Sequence, residues 1–314
     1  MILITGAGGL LGANLVADLA RRGREVWAAD CSWLPRLDGV RVAKCDFAVA
    51  EEALSLFMRL RPSSVIHCAA MTDVDRCESD PEETWRINVE MSGRLAALAA
   101  QIGSQFVYIS SDSVFDGARG GYTEEDPVAP VNVYARSKFE GESAVRSFLP
   151  SALLVRTNIY GWNMQPKASL AEWILRRLET GLGLAGFQDV VFCPILVNDL
   201  GDLILEMLER RLTGLFHVAG SEACSKYEFA MRLAATFAFN QALVQPINIE
   251  DSQLRAPRPK NTSLSTARIC GALGRPMPTV DAGLERLKTL RDSGFAARLK
   301  RAGMVEEHAY VPCR

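Results

Sequence analysis

Through its first two-thirds the chain alternates short apolar runs with longer stretches of helical period. Ile2–Thr5, Glu25–Ala29, Val40–Lys44, Ser64–His67, Gln105–Ser110 and Ala152–Arg156 read as strands. Leu10–Arg22, Glu51–Leu60, Glu82–Ile102 and Asn132–Phe148 read as the helices between them. Alternation of this kind predicts an α/β fold, a doubly wound parallel sheet with helices on both faces. Ligands of such a sheet sit beyond the carboxyl ends of its strands, at the point where the strand order reverses.

The pattern changes after Gly161. Ala168–Glu179, Asn198–Arg210 and Ser225–Phe239 read as helices, Leu215–Val218 as a strand, and Gln245–Asn261 as Pro-rich and irregular. Pro276–Lys288 and Ser293–Gly303 read as terminal helices. The expected division is a dinucleotide-binding Rossmann unit over 1–160, to which 186–220 returns, and a smaller mixed α/β substrate lobe over 161–185 and 221–314. No repeat or low-complexity linker separates them, so the lobe is expected to pack on the sheet.

Composition narrows the classes. Hydrophobic residues make up 48% and charged residues 23%, with a net charge of -2, an ordinary globular balance. A nucleic-acid partner is not expected, because phosphate-tracking proteins carry a basic excess. Neither a membrane span nor a signal peptide is expected: no long apolar run occurs, and the chain opens directly on a strand-like segment. The eight cysteines, at 31, 45, 68, 77, 193, 224, 270 and 313, form no C-x-x-C pair, and there are three histidines. The expectation is reduced thiols in a cytoplasmic protein and no metal site.

Candidate chemistry begins at T-G-A-G-G-L-L-G, Thr5–Gly12. Gly6, Gly9 and Gly12 follow a strand and open a helix, where Leu10 and Leu11 lie. The first glycine permits the turn, the second lets a pyrophosphate approach the backbone, and the third brings helix and strand together. The free N–H groups of the helix start favour an anion. Asp30 ends the second strand, where a carboxylate binds ribose hydroxyls and repels a 2′-phosphate. NAD(H) is therefore favoured, with NADP(H) left open by the nearby Arg36. Asp46 is placed to accept from the adenine amino group, with Phe47 beside it. Ala69 and Ala70 are small where bulk would block the cofactor.

Y-A-R-S-K, Tyr134–Lys138, sets a phenol and an ammonium one turn apart on one helix face. A nearby ammonium stabilises a phenolate and lowers its pKa, which suits acid–base work. Upstream, Ser110 or Ser111 ends a strand; Ser111 is taken as the group that hydrogen-bonds a substrate carbonyl. Asn88 is a further candidate, for a water relay.

With these motifs in place, the chain resembles the extended short-chain dehydrogenase/reductases, and within them the dTDP-4-dehydrorhamnose reductase-like branch. The resemblance rests on S-D-S-V-F-D-G at Ser111–Gly117, Y-A-R-S-K-F-E-G-E at Tyr134–Glu142 and A-A-M-T-D-V-D at Ala69–Asp75. It continues through R-T-N-I-Y-G at Arg156–Gly161, F-H-V-A-G at Phe216–Gly220 and R-P-K-N-T-S-L at Arg258–Leu264. It implies an NAD(P)H-dependent oxidoreductase acting on a nucleotide-linked 4-keto sugar, with Ser111, Tyr134 and Lys138 catalytic. Tyr134 and Lys138 would also touch the cofactor. Thr72, Val74, Ser111, Asp112, Ser113, Ile159 and Trp162 follow strands at the ligand-bearing edge and are expected to form the sugar pocket, and Arg258, in a basic cluster with Arg255 and Lys260, is a candidate to meet the substrate diphosphate.

Two positions depart from the branch. Ser113 replaces a tyrosine, and Thr157-Asn158-Ile159 lacks a tryptophan, so a different sugar is expected. Two other readings stand beside the reductase. One is a nucleotide-sugar epimerase or dehydratase, although a dehydratase carries Asp-Glu where this chain has Asp112-Ser113. The other is a non-catalytic protein like the regulatory β subunit of methionine adenosyltransferase, which S-K-Y-E-F-A at Ser225–Ala230 and A-P-R-P-K-N at Ala256–Asn261 also resemble. Homo-oligomerisation is left open.

Overall fold

A computed structural model describes residues 1–303 of the chain. Its strands are β1 (Ile2–Thr5), β2 (Val26–Asp30), β3 (Arg41–Lys44), β4 (Ser64–His67), β5 (Gln105–Ile109) and β6 (Leu153–Arg156). They are followed by the short β7 (Ile159–Tyr160), β8 (Leu184–Phe187), β9 (Val191–Phe192) and β10 (Ile195–Leu196), then β11 (Gly214–His217), β12 (Cys224–Ser225) and β13 (Val244–Ile247). Seven of these make one sheet in the order β11-β6-β5-β4-β1-β2-β3. Every pairing in it is parallel. The order reverses between β1 and β4, which places the ligand crevice at their carboxyl ends.

The helices are α1 (Leu10–Arg21), α2 (Ala50–Leu60), α3 (Val74–Ser79), α4 (Pro81–Trp85), α5 (Met91–Ile102), α6 (Val133–Phe148), α7 (Leu170–Glu179) and α8 (Val197–Glu209). Then come α9 (Lys226–Thr236), α10 (Ala267–Leu273), α11 (Val280–Asp292) and α12 (Phe295–Ala302). The two-residue period of a strand splits the core into layers. Along β1, Ile4 points to a core shared with Leu15 and Leu19 of α1 and Leu203 and Ile204 of α8. Leu3 points to the opposite core, with Phe57 of α2, Leu95 of α5 and Tyr108 of β5. A third core lies away from the sheet and joins Ile174 and Leu175 of α7, Phe229 and Leu233 of α9 and Leu284 of α11.

Three expectations change. The single helix expected over Glu82–Ile102 is interrupted by a π-turn at Arg86–Glu90. Helix α6 packs on this widened turn with Gly141 against it. A Cβ on Gly141 would stand 2.6 Å from the Asn88 carbonyl oxygen and collide with the Tyr108 hydroxyl. The segment expected to be irregular from Gln245 contains β13, which pairs with β8 in a two-stranded sheet. Pro246 argues against a central strand but is tolerated at an edge. Helix α3 and the two-residue strands went unread because they are too short to show a period. Residues 304–314, including Cys313, lie outside the described residues. No helix among the described residues is long and apolar enough to cross a membrane.

Candidate active site

Strand ends and one helix start build a cleft of about 510 Å³. Gly9, Leu10, Leu11 and Gly12 lie at one side, Thr72, Ser111, Asp112 and Ser113 at another, and Tyr134, Lys138 and Ile159 close it. A second compartment of about 440 Å³ is lined by Gly6, Asp30, Asp46, Phe47 and Ala69. Gly9, Cys68, Ala70 and Gln165 border both, so the two form one groove across the glycine turn.

The glycines in that turn do different work. Gly6 has φ +63, and a Cβ there would lie 2.6 Å from the Ala69 Cα. Gly12 lets α1 close on β1, since its Cβ would stand 2.8 Å from the Ala7 Cα and run into the Gly6 carbonyl. A Cβ on Gly9 would meet only the Gly6 oxygen, at 3.2 Å, and would otherwise stand in the groove. Gly9 is also the N-cap of α1 and makes no side-chain cap. Open backbone N–H groups beside a space kept free of side chains fit a pyrophosphate.

The Asp30 carboxylate borders the second compartment and stitches the turn to the next loop. Its Oδ2 accepts from the Gly8 N–H at 3.1 Å, and its Oδ1 accepts from Ser32 N–H at 2.9 Å and Trp33 N–H at 3.1 Å. Asp46 Oδ1 accepts from Ala48 N–H at 3.0 Å. The Arg36 backbone N–H is held by the Ala302 carbonyl, and Arg36 does not border this compartment.

Asn132 starts α6 by accepting the Ala135 N–H at 2.8 Å, and so sets Tyr134 and Lys138 on the turns that face the cleft. Tyr134 is half-buried, and burial pushes its phenol up to about 12. The Ser111 hydroxyl beside it pulls in the other direction, while Asp112 and Cys77 push it further up. Lys138 is 3% exposed, with its ammonium 4.3 Å from the centre of the Tyr108 ring. Burial lowers it to about 8 against the opposing pull of Glu142. The net shift at Tyr134 is thus upward and not the expected lowering, because desolvation is the largest effect on the phenol. Desolvation dominates at both groups, and the Ser111 hydroxyl is the contact that opposes it at the phenol.

Ser111 is held from two sides. Its oxygen accepts the Ser113 N–H at 3.2 Å, and its hydroxyl donates to Asp112 Oδ1 at 3.2 Å. Asp112, 1% exposed, also accepts from Asn158 at 2.8 Å and Thr262 at 2.6 Å. Asn158 and Thr262 were not foreseen, although both lie inside segments that carried the family resemblance.

Some expected residues are elsewhere. Trp162 donates its indole N–H to the Leu287 carbonyl at 3.0 Å and packs into the third core, away from the cleft. Arg258 pairs with Asp75 at 3.1 Å, and neither it nor Val74 lines the cleft. An apolar indole gains more from the core than from a wet groove, and the guanidinium has a carboxylate closer to hand. Asn88, the water-relay candidate, spends its amide on Met71 and Ser137 and holds the loop after β4. Asn163, Gln165 and Lys167, which line the cleft from the segment before α7, went unread. Isolated polar residues in an irregular stretch carry no signal of their own. Among the described residues no group of three or more His, Cys, Asp or Glu is disposed to hold a metal.

Comparison with known proteins places this geometry. The chain is 32% identical over 289 residues to a probable low-salt glycan biosynthesis reductase of Haloferax volcanii, covering 91% of this chain and 96% of that one. It is also 32% identical over 275 residues to the methionine adenosyltransferase 2 subunit beta of Rattus norvegicus, covering 85% and 81%. Its fold matches the crystal structure of a Bacillus anthracis dTDP-4-dehydrorhamnose reductase in complex with NADP. The TM-score is 0.82 at 28% identity, over 92% of this chain and 98% of the other. The RmlD substrate binding domain model matches residues 1–291, and the chain therefore belongs to that family.

Proposed function

We propose that the protein is an NAD(P)H-dependent reductase of a nucleotide-linked 4-keto deoxysugar, with an activity like that of the dTDP-4-dehydrorhamnose reductases. The observation that carries the reading is the meeting of Ser111, Tyr134 and Lys138 in one cleft bordered by the glycine turn. Gly6, Gly9, Gly12 and the first N–H groups of α1 would hold the pyrophosphate, and Asp30, Asp46, Phe47, Ala69 and Ala70, which line the second compartment, would take the adenosine half. A bound dihydronicotinamide supplies the hydride. Tyr134, kept protonated by burial, gives its proton to the oxygen as negative charge grows there. Ser111 turns its hydroxyl from Asp112 to the same oxygen and stabilises that charge, while Asp112 stays held by Asn158 and Thr262. Lys138, charged below pH of about 8, steadies the phenolate left behind.

We infer a preference for NADH. A carboxylate at the end of the second strand repels a 2′-phosphate, and three backbone N–H groups hold the Asp30 carboxylate at that strand end. Ser113 stands where the branch has a tyrosine, and Thr157-Asn158-Ile159 lacks its tryptophan; all four residues line the cleft, which supports a sugar other than the one used in rhamnose synthesis. The reading carries a cytoplasmic location with it, in keeping with the seven free cysteines of the described residues.

The test is oxidation of NADH and NADPH by the purified protein with dTDP-linked 4-keto-6-deoxysugars. Stoichiometric loss of reduced cofactor with formation of the alcohol is expected. Turnover without net cofactor change would point instead to an epimerase or dehydratase. A regulatory reading has one observation in its favour, the equal identity to the adenosyltransferase subunit. Cofactor binding without turnover on any keto sugar would select it.

A further inference from the structure

Beneath the cleft, out of reach of substrate, lies an ion pair that the reaction as described does not use. Glu142 follows Lys138 by one turn of α6, and Arg156 ends β6. The guanidinium meets the carboxylate at two points, Nε to Oε1 at 2.8 Å and Nη2 to Oε2 at 2.7 Å. Ser110 donates a third hydrogen bond to Oε1 at 2.5 Å. Glu142 is 0% and Arg156 2% exposed, and the Arg156 guanidinium also covers the Phe115 ring at 5.2 Å.

A buried pair of this kind gains little for stability over apolar side chains of similar size. Its position suggests another role. The groups facing Lys138 come from three elements: His67 and the adjoining Cys68 from β4, Tyr108 from β5, and Tyr134 and Glu142 from α6 itself. Burial holds His67 at about 3 and Cys68 at about 12, and pushes Tyr108 well up, so all three are neutral near pH 7. Tyr134 is neutral for the same reason. Glu142 is then the one charged group among them, and it is the carboxylate that Arg156 holds.

We propose that Glu142 and Arg156 are a positioning pair for the reduction: Glu142 keeps the buried Lys138 ammonium charged, and Arg156 with Ser110 holds that carboxylate and sets how much of its field Lys138 feels. The inference rests on the reductase reading only for its consequence in turnover. The electrostatic coupling itself belongs to the unliganded protein.

The experiment titrates Lys138 in the full chain labelled with 13C at lysine Cε, with the resonance assigned by Lys138→Arg. Glu142→Gln, which removes one charge and keeps a hydrogen-bonding side chain, is expected to move the Lys138 titration down by about one pH unit. Arg156→Met frees the carboxylate from its partner and is expected to move it up. The alkaline limb of kcat/KM for the keto sugar at saturating NADH follows in the same two directions. A merely structural pair predicts lower melting temperatures with no shift, or shifts of the same sign, and either result overturns the proposal. If a single variant does not fold, the double variant Glu142→Gln/Arg156→Met replaces it. Loss of the nearer charge still moves the titration down there, and a parental titration overturns the proposal. An inactive parent counts against the reductase reading alone, because the titration needs no turnover.

Discussion

At the residue scale, Tyr134 and Lys138 show one cause with opposite results. Burial disfavours the charged form of each, so the phenol rises to about 12 and the ammonium falls to about 8. The proposed reduction uses a protonated phenol and a charged lysine. Activity should therefore hold below pH of about 8 and fall as pH rises through that value, the region where Lys138 loses its proton. Tyr134→Phe should lower single-turnover reduction by about a hundred- to ten-thousand-fold, while NADH titration by fluorescence stays near parental. Reduction at the native rate by that variant would remove tyrosine from the mechanism. Lys138→Met should impair both turnover and cofactor binding. At the other end of the groove, Asp30→Ala should weaken NADH more than NADPH, because the charge that excludes a 2′-phosphate goes with it. The glycine turn loses its tie at Gly8 in the same change, so some loss for both cofactors is expected. Equal losses in a fluorescence titration would leave Asp30 a structural stitch only.

At the element scale, α6 is the helix on which the site depends, and Gly141 sets how closely it lies. Its missing Cβ lets the helix sit against the Asn88 carbonyl and the Tyr108 hydroxyl. Gly141→Ala must push α6 outward and carry Lys138 with it. Overpacking of this kind costs about 1–3 kcal/mol, so a lower melting temperature together with reduced turnover is expected. A variant with parental stability and rate would show that the helix can move without consequence. The same helix was legible in the sequence from Asn132 onward, since an N-cap residue followed by periodic apolar positions is a local signal. The π-turn it packs on was not legible. A widened turn is imposed by the partner helix, and Arg86–Glu90 carries no residue that breaks an α-helix.

At the scale of the whole molecule, the two buried histidines tie the fold to pH. His67, between Thr5 at 2.7 Å and Ser92 at 3.0 Å, is lowered by burial to about 3. Burial lowers His217 to about 4, with the charge of Arg156 adding to the effect. In the unfolded chain both take up protons near the ordinary value of about 6.5. Each folded value is depressed, so the stability these groups contribute is present above pH of about 6.5 and is lost progressively as pH falls toward their folded values. The melting temperature should drop between pH 7 and pH 5, and His67→Gln should flatten that slope. An unchanged slope in calorimetry would mean that carboxylates alone govern the acid limb.

Local features were determined by the sequence alone. The glycine turn, the strand–helix alternation and the one-turn spacing of Tyr134 and Lys138 depend on residues close together in the chain, so the periods and turn chemistry of a short window suffice to read them. Only the tertiary structure decided the rest. It turned Trp162 into the third core and paired Arg258 with Asp75. It set the Lys138 ammonium over Tyr108 and closed the Glu142–Arg156 pair beneath the cleft. Each of these contacts joins residues on different elements. Their meeting is fixed by the order of β4, β5 and β6 in the sheet and by the path of α6 across it. A charge or an indole then takes whichever partner that packing brings nearest, and no window of sequence contains that choice.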